Sequence, residues 1–283
     1  MFFQRLSTGW ELAKRSWNVL RLDKELLLFP VFSSIACVAV FVSFAMPLWF
    51  AGFFEEAGNN QRPLQGMLGY VVMFAYYFVN YFVIIYFNSA LIACAIIRFK
   101  GGNPNLWDGF SAANSRLPQI LGWAAVSATV GLVLKIIESR SERVGQFVAS
   151  LLGMGWSAVT FFVIPVIVVE KRGPIEAVKH SFGMLKKTWG EALSANFSVN
   201  IIAFIGFLLA IIPMGGAVMA FSAGLTIIGF FCVFCAILVV VLSALICATV
   251  HTIIIGALYL YASEGTIPTA YEGSAFTAAF SHK

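Results

Sequence analysis

Charge is what this chain has least of. Lys, Arg, Asp and Glu make up 11% of its 283 residues, while 60% are hydrophobic; an ordinary soluble domain is about a quarter charged. No stretch is polar enough to form a water-facing surface, so the two soluble domains that length alone suggests are excluded, as are collagen and disorder. Cysteine is scarce and scattered. Cys37, Cys94, Cys232, Cys235 and Cys247 all lie in apolar runs and stand out of metal-ligand spacing with His180, His251 and His282. They read as small apolar packing residues, which excludes a disulfide-stapled scaffold. Catalytic templates are missing too: there is no phosphate-binding Gly-Lys-Ser/Thr loop, no His-Glu-x-x-His, no Gly-x-Ser-x-Gly and no paired aspartates on an apolar run. Nor do the first two dozen residues resemble a cleavable signal, because Arg5, Glu11, Lys14, Arg15, Arg21, Asp23 and Lys24 interrupt them.

What the chain has is long apolar runs. A bilayer core of about 30 Å needs about 20 apolar residues per helix, and stretches at 26–54, 67–97, 117–137, 145–169, 192–221 and 225–262 qualify. The expected fold class is all-α, a polytopic bundle of six spans arranged as three hairpins. The last two runs are nearly continuous, and the turn between them is expected at Pro213-Met214-Gly215-Gly216 through Gly224, with a re-entrant segment as the alternative. Alternate connections hold fourteen of the eighteen Lys and Arg: Arg5, Lys14, Arg15, Arg21 and Lys24; Arg98, Lys100 and Arg116; Lys171, Arg172, Lys179, Lys186 and Lys187; and Lys283. The opposite side holds Arg62, Lys135, Arg140 and Arg143. By the positive-inside rule both termini are cytoplasmic, in a bacterial inner membrane. The net charge of +5 is therefore a topology signal that calls for no nucleic-acid partner. The external loops around Glu55–Gln65 and Ser139–Val144 leave no room for an external domain.

The cytoplasmic segments carry apolar residues at three- and four-residue steps, the spacing of one helix face. The first, within 1–25, has Phe3, Leu6, Trp10, Ala13, Trp17 and Leu20; the second, near 104–116, Leu106, Phe110, Ala113 and Leu117; the third, near 174–190, Ile175, Val178, Phe182, Leu185 and Trp189. With basic residues between them they are expected to lie in the membrane interface, through Trp10, Lys14, Arg15, Trp17, Arg21, Lys179, Lys186, Lys187 and Trp189. Residues 263–283 form a short cytoplasmic tail. Ala13-Lys14-Arg15-Ser16-Trp17 superposes on Val178-Lys179-His180-Ser181-Phe182, and Ala112-Ala113-Asn114-Ser115 is a weaker echo. Lys100-Gly101-Gly102-Asn103-Pro104, Lys171-Arg172-Gly173-Pro174 and Glu264-Gly265-Thr266-Ile267-Pro268 recur as exits from spans. Trp107-Asp108-Gly109-Phe110 is then matched by Tyr271-Glu272-Gly273-Ser274. Glycine ends the span and proline opens the surface helix in its first turn, which suggests an internal duplication.

The run Phe161-Phe162-Val163-Ile164-Pro165-Val166-Ile167-Val168-Val169-Glu170-Lys171-Arg172-Gly173-Pro174-Ile175-Glu176-Ala177-Val178-Lys179-His180-Ser181, followed by Lys187-Thr188-Trp189-Gly190-Glu191, resembles a prokaryotic six-span family of unknown function. It is also similar to the membrane domain attached to some glycerophosphodiester phosphodiesterases. The resemblance implies an architecture and supplies no catalytic residues. A phosphodiesterase domain, with its soluble barrel and metal-binding carboxylates, is not present in these residues, so that activity is not transferred.

Polar residues inside spans are the remaining site candidates, since each needs a partner or water. Asn88, Asn196, Asn200, His251 and Glu170 lie in the cytoplasmic halves of their helices, and Asn196 and Asn200 share a face. Two readings stay open for them: a cavity facing the cytoplasm, or interhelical hydrogen bonds. Glu170 beside Lys171 and Arg172 reads as an interfacial ion pair. Cys232-x-x-Cys235 is either a pair of packing residues or a thiol relay on the external side. The aromatic run Tyr76, Tyr77, Phe78, Tyr81, Phe82, Tyr86 and Phe87 suits lipid, a partner or the bundle interior. The leading expectation is a non-enzymatic scaffold or accessory subunit that contacts lipids and another membrane protein or itself, with no cofactor. The alternatives are a transporter or lipid-handling protein, and a membrane thiol oxidoreductase.

Overall fold

The structure, a computed structural model, describes residues 2–50, 67–140 and 144–265, with the side chains of 2–10, 12, 67, 68, 140, 144, 187 and 189–202 outside the described set. The expectations placed on the Glu55–Gln65 loop, Arg62, Arg143, Tyr271–Ser274, Pro268 and Lys283 therefore fall outside it. Among the described residues every element is helical: α1 Phe2–Leu22, a 3-10 turn Lys24–Leu27, α2 Leu28–Phe50, α3 Met67–Phe99, α4 Leu106–Asn114, α5 Leu117–Arg140, α6 Val144–Val159, α7 Val163–Glu170, α8 Pro174–Ser222 and α9 Thr226–Glu264. Six stretches of the described residues are long and apolar enough to cross a membrane: Lys24–Phe50, Gly69–Phe99, Leu117–Ser139, Gly145–Glu170, Ala203–Ser222 and Thr226–Glu264. The chain is an all-α, multi-pass membrane protein.

Two compact units make up the chain. One comprises Met1–Pro30, Ala95–Asn103 and Thr188–Lys283; the other Val31–Cys94 and Pro104–Lys187. In the first, α1 packs along α9. Its core is Ala13, Val19, Leu20, Phe29, Ile96 and Phe99 with the Val250–Leu260 part of α9, while Trp17 and Leu22 on α1 stay exposed. In the second, α5 packs along α6 and α4 against α5. The short α4 starts from a capping box in which Asn105 and Asp108 exchange side-chain and backbone hydrogen bonds. Phe110 of α4 sits against Tyr86 and Phe87 of α3, and Tyr86 Oη donates to Asn114 Oδ1 at 2.9 Å. The face of α4 read from the sequence is thus docked on protein, and Trp107 points away from it, 76% exposed.

Two boundaries differ from the sequence expectation. The fourth span is broken at 160–162, between α6 and α7. Pro165 has no N–H for the Phe161 carbonyl and its ring crowds that group, and Ser181 of α8 occupies the gap. Its hydroxyl donates to Val159 O at 2.7 Å and accepts from Phe162 N–H at 2.9 Å. The third cytoplasmic segment is a helix of its own, as expected: the non-helical Thr188, at φ −120° and ψ 20°, kinks the chain between it and the fifth span, and α8 names the two stretches together. Finally, Pro213 lies inside α8, and the turn comes at 223–225 instead. There Gly224 takes φ +75°, Leu225 N–H donates to Ala220 O and Gly224 N–H to Phe221 O, the double bond pattern that closes a helix on a left-handed residue.

The repeat extends into the backbone. Gly101, Lys171 and Gly265 have positive φ of 85°, 61° and 66°, and each stands three residues before Pro104, Pro174 or Pro268. Lys171, and not Gly173, is the reversing residue of its exit. Pro174 is the first residue of α8, as expected, but Pro104 lies one residue before the cap of α4. Ser16 and Ser181, superposed in the sequence, are both fully buried, while the Trp17 and Phe182 that follow them are exposed.

Candidate functional site

A cleft of about 470 Å³ opens in the second unit between α3, α5 and α6. Helical spacing places its lining: Tyr77 and Tyr81 are one turn apart on α3, Gly131, Leu134, Lys135 and Glu138 follow the three–four rule along α5, and Gln146, Ala149 and Ser150 do so on α6. The antiparallel α5 and α6 bring Lys135, Glu138, Gln146 and Ser150 to one end. Gly131 is the residue that admits a tyrosine, since a Cβ there would stand 3.3 Å from the Tyr81 ring and hydroxyl.

Lys135 Nζ lies 3.0 Å from Glu138 Oε2, with both side chains about half exposed. Such a pair contributes about 0–1 kcal/mol to stability, so it opens easily. The Tyr77 and Tyr81 rings stand 6.4 Å apart, tilted to one another. The cleft therefore offers one cation, one anion, two phenol hydroxyls, an amide and a serine hydroxyl above an apolar floor.

The polar residues singled out in the sequence are placed otherwise. Asn88 and Glu170 belong to one unit, and Asn196, Asn200 and His251 to the other; the side chains of Asn196 and Asn200 lie outside the described residues. Asn88 and His251 are each half-buried. Glu170 pairs with Arg172 at 2.6 Å, the expected ion pair, although Lys171 is not its partner there. Its Oε2 also lies 2.9 Å from His180 Nδ1, without the alignment of a hydrogen bond. Among the described residues no disulfide joins any of the five cysteines. Among the described residues no three of His, Cys, Asp and Glu come together as metal ligands.

Of the surface contacts, Lys14, Trp17, Arg21, Lys179 and Lys186 are exposed and Arg15 is half-buried; the side chains of Trp10, Lys187 and Trp189 are outside the described set. Lys186 Nζ sits 4.5 Å above the Phe182 ring. Lys135 entered the sequence reading only as a topology charge and Glu138 not at all. Their i,i+3 placement in an otherwise apolar span was the available signal.

The model of a family of unknown function, DUF6159, matches residues 67–269. The chain belongs to that family. The DUF6159 region begins at the first residue of α3 and contains every residue of the cleft, whereas α1 and α2 precede it. DUF6159 is an uncharacterised membrane family, which agrees with the six apolar helices here. No curated protein and no solved structure matches the chain.

Proposed function

We propose that this DUF6159 protein is a non-enzymatic scaffold or accessory subunit of a bacterial inner-membrane complex, with both termini in the cytoplasm. The observation that carries the reading is the surface of the last two spans. In their most apolar windows only 22% of Ala203–Ser222 and 11% of Thr226–Glu264 is buried within the chain. Large side chains such as Phe204, Phe207, Ile227, Phe230, Phe231 and Phe234 face outward. At 39 residues α9 reaches about 58 Å, well beyond the hydrocarbon thickness of about 30 Å. The exposed N-terminal part of so long a helix suits a neighbouring membrane protein or a second copy, with lipid filling the rest.

In the same reading the spans form three hairpins joined by amphipathic cytoplasmic segments. Exposed Trp17, Trp107 and Phe182 beside Lys14, Arg21, Lys179 and Lys186 support an interfacial position for those segments. The likeness of residues 161–191 to membrane domains attached to phosphodiesterases suits an accessory role, in which the chemistry is done by another domain or chain.

Purification in mild detergent at native expression level, with mass spectrometry of what co-purifies, tests the proposal. A stoichiometric protein partner or a stable homo-oligomer is the expected result. A lone chain that turns over a small substrate overturns it.

A further inference from the structure

We propose that the cleft between α3, α5 and α6 binds a zwitterionic group with a phosphate and an ammonium a few bonds apart, the chemistry of phosphoethanolamine. The site is independent of the scaffold role; only the membrane face to which it opens rests on the orientation proposed above.

Charge decides the ligand class. Lys135 and Glu138 neutralise each other at 3.0 Å, so a simple anion drawn to Lys135 meets Glu138, and a simple cation drawn to Glu138 meets Lys135. Only a molecule with both signs replaces the one ion pair by two. Opening the pair costs little because both side chains are half exposed. The Tyr77 and Tyr81 rings form a wall that favours an ammonium through their π faces, and their hydroxyls donate to phosphate oxygens. The volume of about 470 Å³ suits a small polar group.

Depth points the same way. Lys135 lies 18 residues beyond Leu117, about 27 Å along α5, and the bilayer core is about 30 Å thick. With Leu117 at one edge of that core, the two charges come within a few ångströms of the other edge, where headgroups begin, at the opposite end of α5 from Arg116. A phosphatidylethanolamine headgroup and a free phosphoethanolamine both present the required pair of charges.

The test is native mass spectrometry of the full chain released from nanodiscs of equal phosphatidylethanolamine and phosphatidylglycerol. Wild type is expected to retain the zwitterionic lipid over the anionic one. Lys135→Gln and Glu138→Gln should each lower that retention by about tenfold, Glu138→Lys should turn the preference toward phosphatidylglycerol, and Lys135→Arg should keep it. Unfolding temperatures read alongside should stay at the wild-type value, since neither side chain is buried. Displacement of the lipid by millimolar O-phosphoethanolamine makes the free zwitterion a ligand as well; retention against it makes the lipid the occupant, and either upholds the site. Equal retention of both lipids by wild type, or full retention by the two Gln variants, overturns it.

Discussion

Arg98 grips Asp23 across 75 positions of sequence, its Nε and Nη2 both donating to the carboxylate, while Nη2 also reaches Asn103 Oδ1 at 2.7 Å. Asp23 is buried at the break between α1 and the 3-10 turn, and Arg98 stands in the last turn of α3. The clamp fixes the N-terminal helix to the Gly101 exit, which Lys100 ties in turn to Glu264 at 2.9 Å. Asp23→Ala strands a half-buried guanidinium and is expected to lower stability by about 3 kcal/mol. Arg98→Ala should do the same, and the double variant should lose far less than the sum. Reversible unfolding in micelles reads this, and strict additivity would show the two groups to be uncoupled.

Lys171 holds a left-handed conformation at φ 61° where the equivalent exits have glycine. A side chain there costs about 1 kcal/mol. Lys171→Gly is expected to raise the unfolding midpoint, because the residue is exposed and its charge makes no described ion pair. A lowered midpoint would reject the strain argument.

Two buried serines should behave oppositely. Ser181→Ala leaves Val159 O and Phe162 N–H without their partner and is expected to cost about 2 kcal/mol. Ser89, fully buried on α3, finds no hydrogen-bond partner for its hydroxyl among the described residues. Ser89→Ala should therefore be neutral or stabilising by about 1 kcal/mol. Equal losses at both sites would contradict the hydrogen-bond assignment.

The turn between the last two spans gives a sharper contrast. Gly224→Ala puts a Cβ at φ +75° and should cost about 1 kcal/mol. Pro213→Ala restores a donor inside a continuous helix and should stabilise. The reverse order of unfolding temperatures would move the turn back to Pro213.

Orientation is testable with single cysteines in a background that lacks the five native ones. A membrane-impermeant thiol reagent should label Ser139→Cys on intact cells after outer-membrane permeabilisation only, and Ser115→Cys only once the inner membrane is opened. Labelling of Ser115→Cys in sealed cells would invert the topology.

Where the spans begin and end was legible because lipid imposes length and apolarity on each helix by itself: 145–169 read from sequence stands against Gly145–Glu170 in the structure. The breaks were not legible. Pro213 and Pro47 lie within continuous helices, whereas Pro165 accompanies a gap. The difference at Pro165 is a hydroxyl supplied by Ser181 from the following helix to the exposed backbone, and no local pattern contains such a partner. The recurring serine and glycine–proline exits were visible as a repeat, but that Lys171 performs the reversal depends on backbone torsion.

The sequence by itself determined the solvent, the number of spans and the excess of cations at one set of connections, since transfer to lipid acts on each helix separately. It pointed to polar residues in the inward halves of the spans, one residue at a time. Only the tertiary structure decided that Lys135, Glu138, Tyr77 and Tyr81 share a cleft. A site made by three helices depends on which faces meet, and helix–helix packing in lipid turns on close-contact features such as the missing Cβ of Gly131, whose effect appears only when the neighbouring helix is in place.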